Sequence, residues 1–92
     1  MWYVYILKTQ NGNYYVGVTN NLSRRLQEHK EGRGGHFTNY NRAINIVYAE
    51  KFYVKEQADQ REKQLKRWRR AKKEALINGN LEKLRMLSVS RD

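Results

Sequence analysis

The sequence contains no cysteine, which rules out disulfides and thiolate metal sites and fits a reducing compartment, so a cytoplasmic location is expected. It contains no proline either, and from Lys55 onward nothing breaks a helix until Gly79. Long apolar runs are also missing. The longest near the start, residues 2–7, falls far short of the ~20 residues that span a bilayer. No basic segment precedes it as a secretory signal would require, so a soluble chain, complete as given and without a membrane partner, is expected. Acidic residues are few, nine Asp and Glu against nineteen Lys and Arg, for a formal charge of +10. That excess on a small body makes a long-range field that attracts polyanions. Nucleic acid is the first partner to consider, with a role at the ribosome or a membrane surface as the alternative that charge alone does not separate.

Ninety-two residues suit one domain, which at this size buries roughly 60 to 65% of its unfolded surface. We expect that domain over residues 1–87, with a frayed tail at 88–92. Residues 2–8 and Tyr14–Thr19 are rich in β-branched and aromatic side chains, and the Asn11-Gly12 pair between them is a strong turn signal, so the segment is predicted to be a β-hairpin. Asn20 or Asn21 then caps a helix over Leu22–Lys30, with Leu22 and Leu26 on its inward stripe. Residues 31–45 are polar and glycine-rich and are expected to form a long surface loop of the kind that often serves a site. Residues 44–53 are again β-rich, with Ile46, Tyr48 and Glu50 alternating against Val47, Ala49 and Lys51, which suggests a third strand pairing with the hairpin.

In the stretch from Lys55, Ala58, Glu62, Leu65 and Trp68 fall on one helical face, and cations including Lys63, Lys66, Arg67, Arg70 and Lys72 crowd the rest. Ala71, Ala75 and Leu76 shift the apolar stripe, which allows a break near Arg69-Arg70. Asn78-Gly79-Asn80 ends the segment, and a short helix over residues 81–87 is expected to present Leu81, Leu84 and Leu87 to the body. The order β-β-α-β-α-α describes an α+β fold, a small sheet covered by helices.

Glu62 is the sharpest chemical signal. It occupies an inward position where an ionised carboxylate costs several kcal/mol unless it is paired or binds a cation. Its partner is either a neighbouring arginine or a hard divalent cation such as Mg²⁺, which takes few protein carboxylates and keeps most of its waters. Arg25 and His29, one turn apart, emerge beside the Leu22-Leu26 stripe near the hairpin. His29 also sits where the helix dipole favours a cation. Among seven tyrosines, Tyr5, Tyr15, Tyr40 and Tyr48 are candidates for a site, and the basic residues Arg24, Lys63, Lys66, Arg67 and Arg70, interleaved with aromatics, suit contacts to nucleic-acid phosphates.

At these residues the chain resembles the GIY-YIG nuclease superfamily, in particular its small stand-alone single-domain bacterial branch of UPF0213-like proteins. The resemblance covers nearly the whole chain. Tyr3-Val4-Tyr5 stands at the first motif, with Tyr3 in place of the usual glycine. Tyr15-Val16-Gly17 is the second motif, Arg25 and His29 follow at the family distance, and Glu62 occupies the place of the single metal-binding carboxylate. The resemblance implies a three-stranded antiparallel sheet flanked by helices and hydrolysis of DNA phosphodiesters with one Mg²⁺ or Mn²⁺. In that scheme Tyr5 and Tyr15 orient or deprotonate the attacking water, Arg25 stabilises the phosphoryl charge, Glu62 holds the metal and His29 assists a tyrosine. Gly17 supports the site, and Asn78 or Asn80 fills the place of a late asparagine.

A shared site for both tyrosines constrains the hairpin, because side chains alternate between sheet faces. A strict two-residue loop would put Tyr5 and Tyr15 on opposite faces. We therefore expect an odd loop or a bulge, with Tyr5 opposite Gly17 and Leu7 opposite Tyr15. The leading functional expectation is an endonuclease of DNA repair or recombination acting on branched or otherwise structured DNA, with RNA as another substrate and a partner protein conceivable. The alternative is a catalytically weak or inactive basic nucleic-acid-binding module.

Overall fold

A computed structural model of the chain describes residues 1–31 and 43–89. The elements are β1 (Trp2–Thr9), β2 (Tyr14–Thr19), α1 (Leu22–Lys30), β3 (Ala43–Phe52), α2 (Lys55–Lys66), α3 (Arg70–Ile77) and α4 (Leu81–Val89). The fold is α+β, with one antiparallel sheet ordered β2-β1-β3. Three helices follow β3 where two were expected. The break divides the long basic segment completely, because Arg67 closes α2 and Arg69 is extended, at φ −66° and ψ 160°, ahead of α3. Separating the segments lets Leu65 near the end of α2 and Trp68 in the turn after it face the same core as Leu76 and Ile77 of α3. It also spreads Lys66, Arg67, Arg69 and Arg70, whose like charges would crowd one continuous turn. The expected loop over 31–45 lies outside the described residues from 32 to 42, and its last three positions belong to β3.

The hairpin turn sets the geometry that follows. Thr9 donates its amide to the Asn13 carbonyl at 3.0 Å and Gly12 donates to the Thr9 carbonyl at 2.9 Å, closing a three-residue loop over Gln10, Asn11 and Gly12. Gly12 sits at φ +79°, the left-handed conformation that such a loop requires at its last residue. The odd count gives the expected register: Tyr5 pairs with Gly17 and Leu7 with Tyr15.

β1 is the central strand and is buried on both faces. Val4 and Ile6 join Val16, Ala58 and Leu65 in one cluster, under α2 and α3. On the opposite face Tyr5 and Leu7 pack with Tyr15, Ile46, Leu22 and Leu26, under α1. Ile46 was expected on the face of Tyr48 and Glu50. A register shift between Ile6 and Leu7 pairs Ile6 with Tyr48 and Leu7 with Ile46, so Val47 is an extra residue that reverses the alternation and sends Ile46 to the other face.

α2 is tied to the sheet by a polar clamp. Arg61 donates to both carboxylate oxygens of Glu50, each at 2.9 Å, and the Tyr48 hydroxyl donates to the same carboxylate. Burial pushes the Glu50 carboxyl up, but these bonds outweigh it and hold it below its ordinary value. Tyr48 is pushed up to about 12, by burial and by its bond to Glu50, so it is a structural donor here. α4 packs against α3. Leu84 and Leu87 are half-buried, but Leu81 is 70% exposed, against the expectation that all three leucines face the body. The helix runs to Val89, and residues 90–92 of the expected tail lie outside the described residues.

Candidate active site

Tyr5 is the pivot. Its ring crosses over Gly17 on β2, so closely that a Cβ built at position 17 would stand 2.5 Å from the Tyr5 hydroxyl oxygen and 2.6 Å from Cζ. Gly17 is required for this close approach, and its φ is not in the left-handed region. α1 brings two further groups to the same hydroxyl. Asn21 caps the helix by accepting from the Arg24 amide at 3.0 Å, and Arg25 and His29 then share a face one turn apart. Arg25 Nε donates to Tyr5 Oη at 3.3 Å, and Tyr5 Oη lies 3.0 Å from His29 Nε2. A guanidinium only donates, so the phenol oxygen accepts from Arg25; in the Nδ1–H tautomer of a neutral imidazole the phenol's own proton is donated to Nε2.

The electrostatics agree with that assignment. His29, expected to emerge beside the inward stripe of α1, is wholly buried. Burial and the Arg25 charge lower its pKa, against the pull of the helix C-terminus and of Glu28. Burial also raises the Tyr5 pKa, opposed by Arg25 and assisted by the charges of Tyr15 and Glu62. Burial works against the charge of Arg25, but its bonds to Tyr5 and to Glu28, the latter at 3.1 Å, outweigh it and raise its pKa. Glu28 was not singled out from the sequence, although its spacing of three from Arg25 is a usable signal.

Tyr15 completes the cluster from β2. Its ring centroid lies 6.4 Å from that of Tyr5 and 5.0 Å from that of His29, edge to face with the imidazole, and it is half-buried where Tyr5 is 1% exposed. Glu62 comes from α2, beside the buried Ala58 and Leu65 and 22% exposed, and its charge contributes to the rise of the Tyr5 pKa. In place of the arginine considered from the sequence, it meets Lys66 at 3.2 Å, one turn along its own helix and 53% exposed. Such a surface pair is worth a few tenths of a kcal/mol, which leaves the carboxylate open to a stronger cation.

No group of three or more His, Cys, Asp or Glu assembles among the described residues, so a closed protein cage of the zinc or calcium kind is not found there. A single carboxylate beside a cluster of donors fits Mg²⁺ or Mn²⁺, which retain several waters.

The remaining expected residues fall elsewhere. Asn78 closes α3, and Asn80 accepts from the Lys83 amide at 3.0 Å as the cap of α4, so helix ends occupy both. Tyr48 belongs to the Glu50 clamp, and Tyr40 lies outside the described residues. Arg24, Lys63, Lys66, Arg67 and Arg70 are all exposed, Arg24 bonded to Asn20 at 3.0 Å and Arg70 stacked 4.7 Å from the Tyr14 ring centroid. Lys72, grouped with these cations in the sequence, is instead buried. Nothing in the local pattern distinguishes it from Lys73.

The neutrality of His29 is open to measurement. Its folded pKa is lowered, whereas an unfolded histidine titrates near ~6.5. Between the two values the unfolded chain binds more protons, so this contribution to stability is full above about pH 6.5 and is lost as pH falls toward the folded value. Urea midpoints recorded from pH 8 to 5 should fall below about pH 6.5 in the parent and fall less in His29→Gln. Parallel curves would show that His29 is not held neutral.

Comparison with known proteins places this geometry. Residues 1–75 match the family described as the GIY-YIG catalytic domain, a span that holds Tyr5, Tyr15, Gly17, Arg25, His29 and Glu62 and stops short of Asn78 and Asn80. The chain is 40% identical over 75 residues to a UPF0213 protein of Bacillus pumilus, covering 82% of this chain and 76% of that protein. It is also 40% identical over 75 residues to a UPF0213 protein of Natronomonas pharaonis, covering 82% of this chain and 88% of that one. The solution NMR structure of a UPF0213 protein from Bacillus halodurans is similar at a TM-score of 0.52 and 35% identity, covering 85% of this chain and 84% of the other. No helix among the described residues is long and apolar enough to cross a membrane.

Proposed function

The chain belongs to the GIY-YIG catalytic-domain family, and from that premise we propose that it is an endonuclease that hydrolyses DNA phosphodiester bonds with a divalent cation. The observation that carries this is the hydroxyl of Tyr5, held at once by Arg25 and by a neutral His29. Tyr5 keeps its proton at neutral pH because its pKa is raised. It therefore accepts a proton from the attacking water only as it passes its own to His29 Nε2. Water loses a proton and bonds to phosphorus, the bridging P–O bond breaks, and His29 ends as the imidazolium while the leaving oxygen is protonated from solvent.

The arrangement ties this relay to substrate binding. Arg25 helps to hold the His29 pKa down, and an arriving phosphate offsets that charge, so His29 becomes a better proton acceptor when substrate is present. Arg25 meets the charge that grows on the phosphoryl oxygens. Tyr15, half-buried beside His29, positions the water. Glu62 would hold Mg²⁺ or Mn²⁺, which when bound polarises the phosphate and the leaving oxygen.

Structured or branched DNA, as in repair or recombination, is the substrate class we favour. The exposed cations Arg24, Lys63, Lys66, Arg67 and Arg70 supply the phosphate contacts. A second reading, a nucleic-acid-binding module with little or no turnover, draws support from the burial of Tyr5, which limits the approach of water. The two separate on a panel of linear, nicked, flapped and four-way DNA with Mg²⁺ or Mn²⁺. The enzyme should cut at least one substrate, and Glu62→Ala should abolish cutting while folding and binding persist. Tight, salt-sensitive binding without cleavage of any substrate would select the binding module.

A further inference from the structure

We propose that the cavity where α2 meets α3 is a second substrate site, which takes a backbone phosphate of a nucleic-acid strand away from the cleavage centre. This rests on the nucleic-acid reading above and gives it a location. The cavity has a volume of about 270 Å³ and is lined by Gln60, Gln64, Arg67, Trp68 and Lys72. Two cations, two carboxamides and an indole face it, and no carboxylate does. That donor set suits an anion.

Lys72 makes the case stronger than surface charge would. It is 7% exposed, yet among the described residues its ammonium makes no hydrogen bond or ion pair and has only the face of Trp68, 4.3 Å from the ring centroid. Its stem is packed away while its ammonium has no counter-charge among the described residues, so the ammonium is available to an anion. No fully buried side-chain nitrogen lacks a partner in the described structure, which means that the Lys72 ammonium reaches the cavity rather than the core. The neighbouring cation is already occupied: Arg61 grips Glu50, lies 5.2 Å from the Trp68 ring centroid, and donates to the Gln64 side-chain oxygen at 2.7 Å. That bond commits the oxygen of Gln64 and leaves its NH2 group as a donor for the cavity.

The volume is close to the ~300 Å³ at which small-molecule pockets begin, more than a lone phosphate needs and enough for a sugar-phosphate unit. Gln60 and Gln64 lie two positions either side of Glu62, about 160° round the helix from it. A strand that engages both sites must therefore pass over α2, which favours a nucleic acid that bends or branches.

The test uses the two tryptophan indole signals in NMR, with Trp2 as the internal reference, and no divalent metal so that nothing is cut. A short single-stranded oligodeoxynucleotide should shift the Trp68 indole far more than that of Trp2. Lys72→Gln should abolish the Trp68 shift and lower the slope of log affinity against log salt by about one. Gln60→Glu, at an exposed position that does not touch the fold of α3, should also abolish it by repulsion, which keeps the test decisive if Lys72→Gln fails to fold. A Trp68 shift with inorganic phosphate or a mononucleotide but not with the oligonucleotide would overturn the strand site. Oligonucleotide binding that leaves Trp68 unmoved would overturn this inference alone, whereas no binding at all would remove the nucleic-acid reading with it.

Discussion

Replacing Arg25 with alanine should lower DNA cleavage by at least 100-fold, the scale on which removal of one preorganised donor to a developing oxyanion acts, and should leave the fold intact. Arg25 is half-buried at the surface end of the Tyr5–His29 pair, so its loss opens no closed cavity. It should also have a signature that a merely structural role would lack. Burial and the Arg25 charge together hold the His29 pKa down, and removing the second cause should move the His29 titration upward. NMR titration of the imidazole in the uncut protein reads this directly. Arg25→Lys should restore part of that depression but little of the cleavage, because an ammonium does not reproduce the Nε bond to Tyr5. If Arg25→Ala cleaves within about threefold of the parent rate and its His29 titration is unmoved, the site assigned to Arg25 is wrong.

The second large effect is expected at Gly17. A glycine in a strand interior is ordinarily a weakness, so Gly→Ala there should gain roughly 0.5 to 1 kcal/mol. Here the sign should reverse, because the new Cβ would stand 2.5 Å from the hydroxyl of Tyr5 and 2.6 Å from Cζ. The ring cannot yield easily, since β1 is the central strand and Tyr5 is almost fully buried. Overpacking of this kind costs about 1 to 3 kcal/mol, or on the order of 10 °C in Tm for a domain of this size. Displacing the ring also pulls the phenol from His29 and Arg25, so cleavage should fall with stability. Calorimetry of Gly17→Ala beside the parent is the measurement, and an unchanged or raised Tm would mean that the ring does not lie over Gly17.

Much of the geometry of the candidate site was legible in the sequence, and for a physical reason in each case. Glu62 stood out because a carboxylate in an inward stripe conflicts with apolar surroundings, and the structure places it 22% exposed with Lys66 as its ion-pair partner. The register of the hairpin followed from requiring two tyrosines on one face, and the structure meets it with a three-residue turn through Gly12. α1, with its Asn21 cap, was set by a local code that needs no partner.

Other features were not visible. The extra residue at Val47 that moves Ile46 across the sheet depends on how β3 meets β1, and strand alternation alone cannot show it. The sequence placed His29 beside the inward stripe but not its depth, and depth is what lowers its pKa where a helix end alone would raise it. Leu81 looked like core and is exposed, while Lys72 looked like surface and is buried. Both depend on where the chain bends between α2 and α4.

The sequence by itself determined the element types, the basic character and the set of groups available for chemistry, because these follow from side-chain identity and from spacings within a few residues. Tertiary structure alone decided which of those groups share an environment. The hydrogen bond between Tyr5 and His29 joins β1 to α1, and burial there raises the Tyr5 pKa and lowers that of His29, which no spacing within a few residues could show.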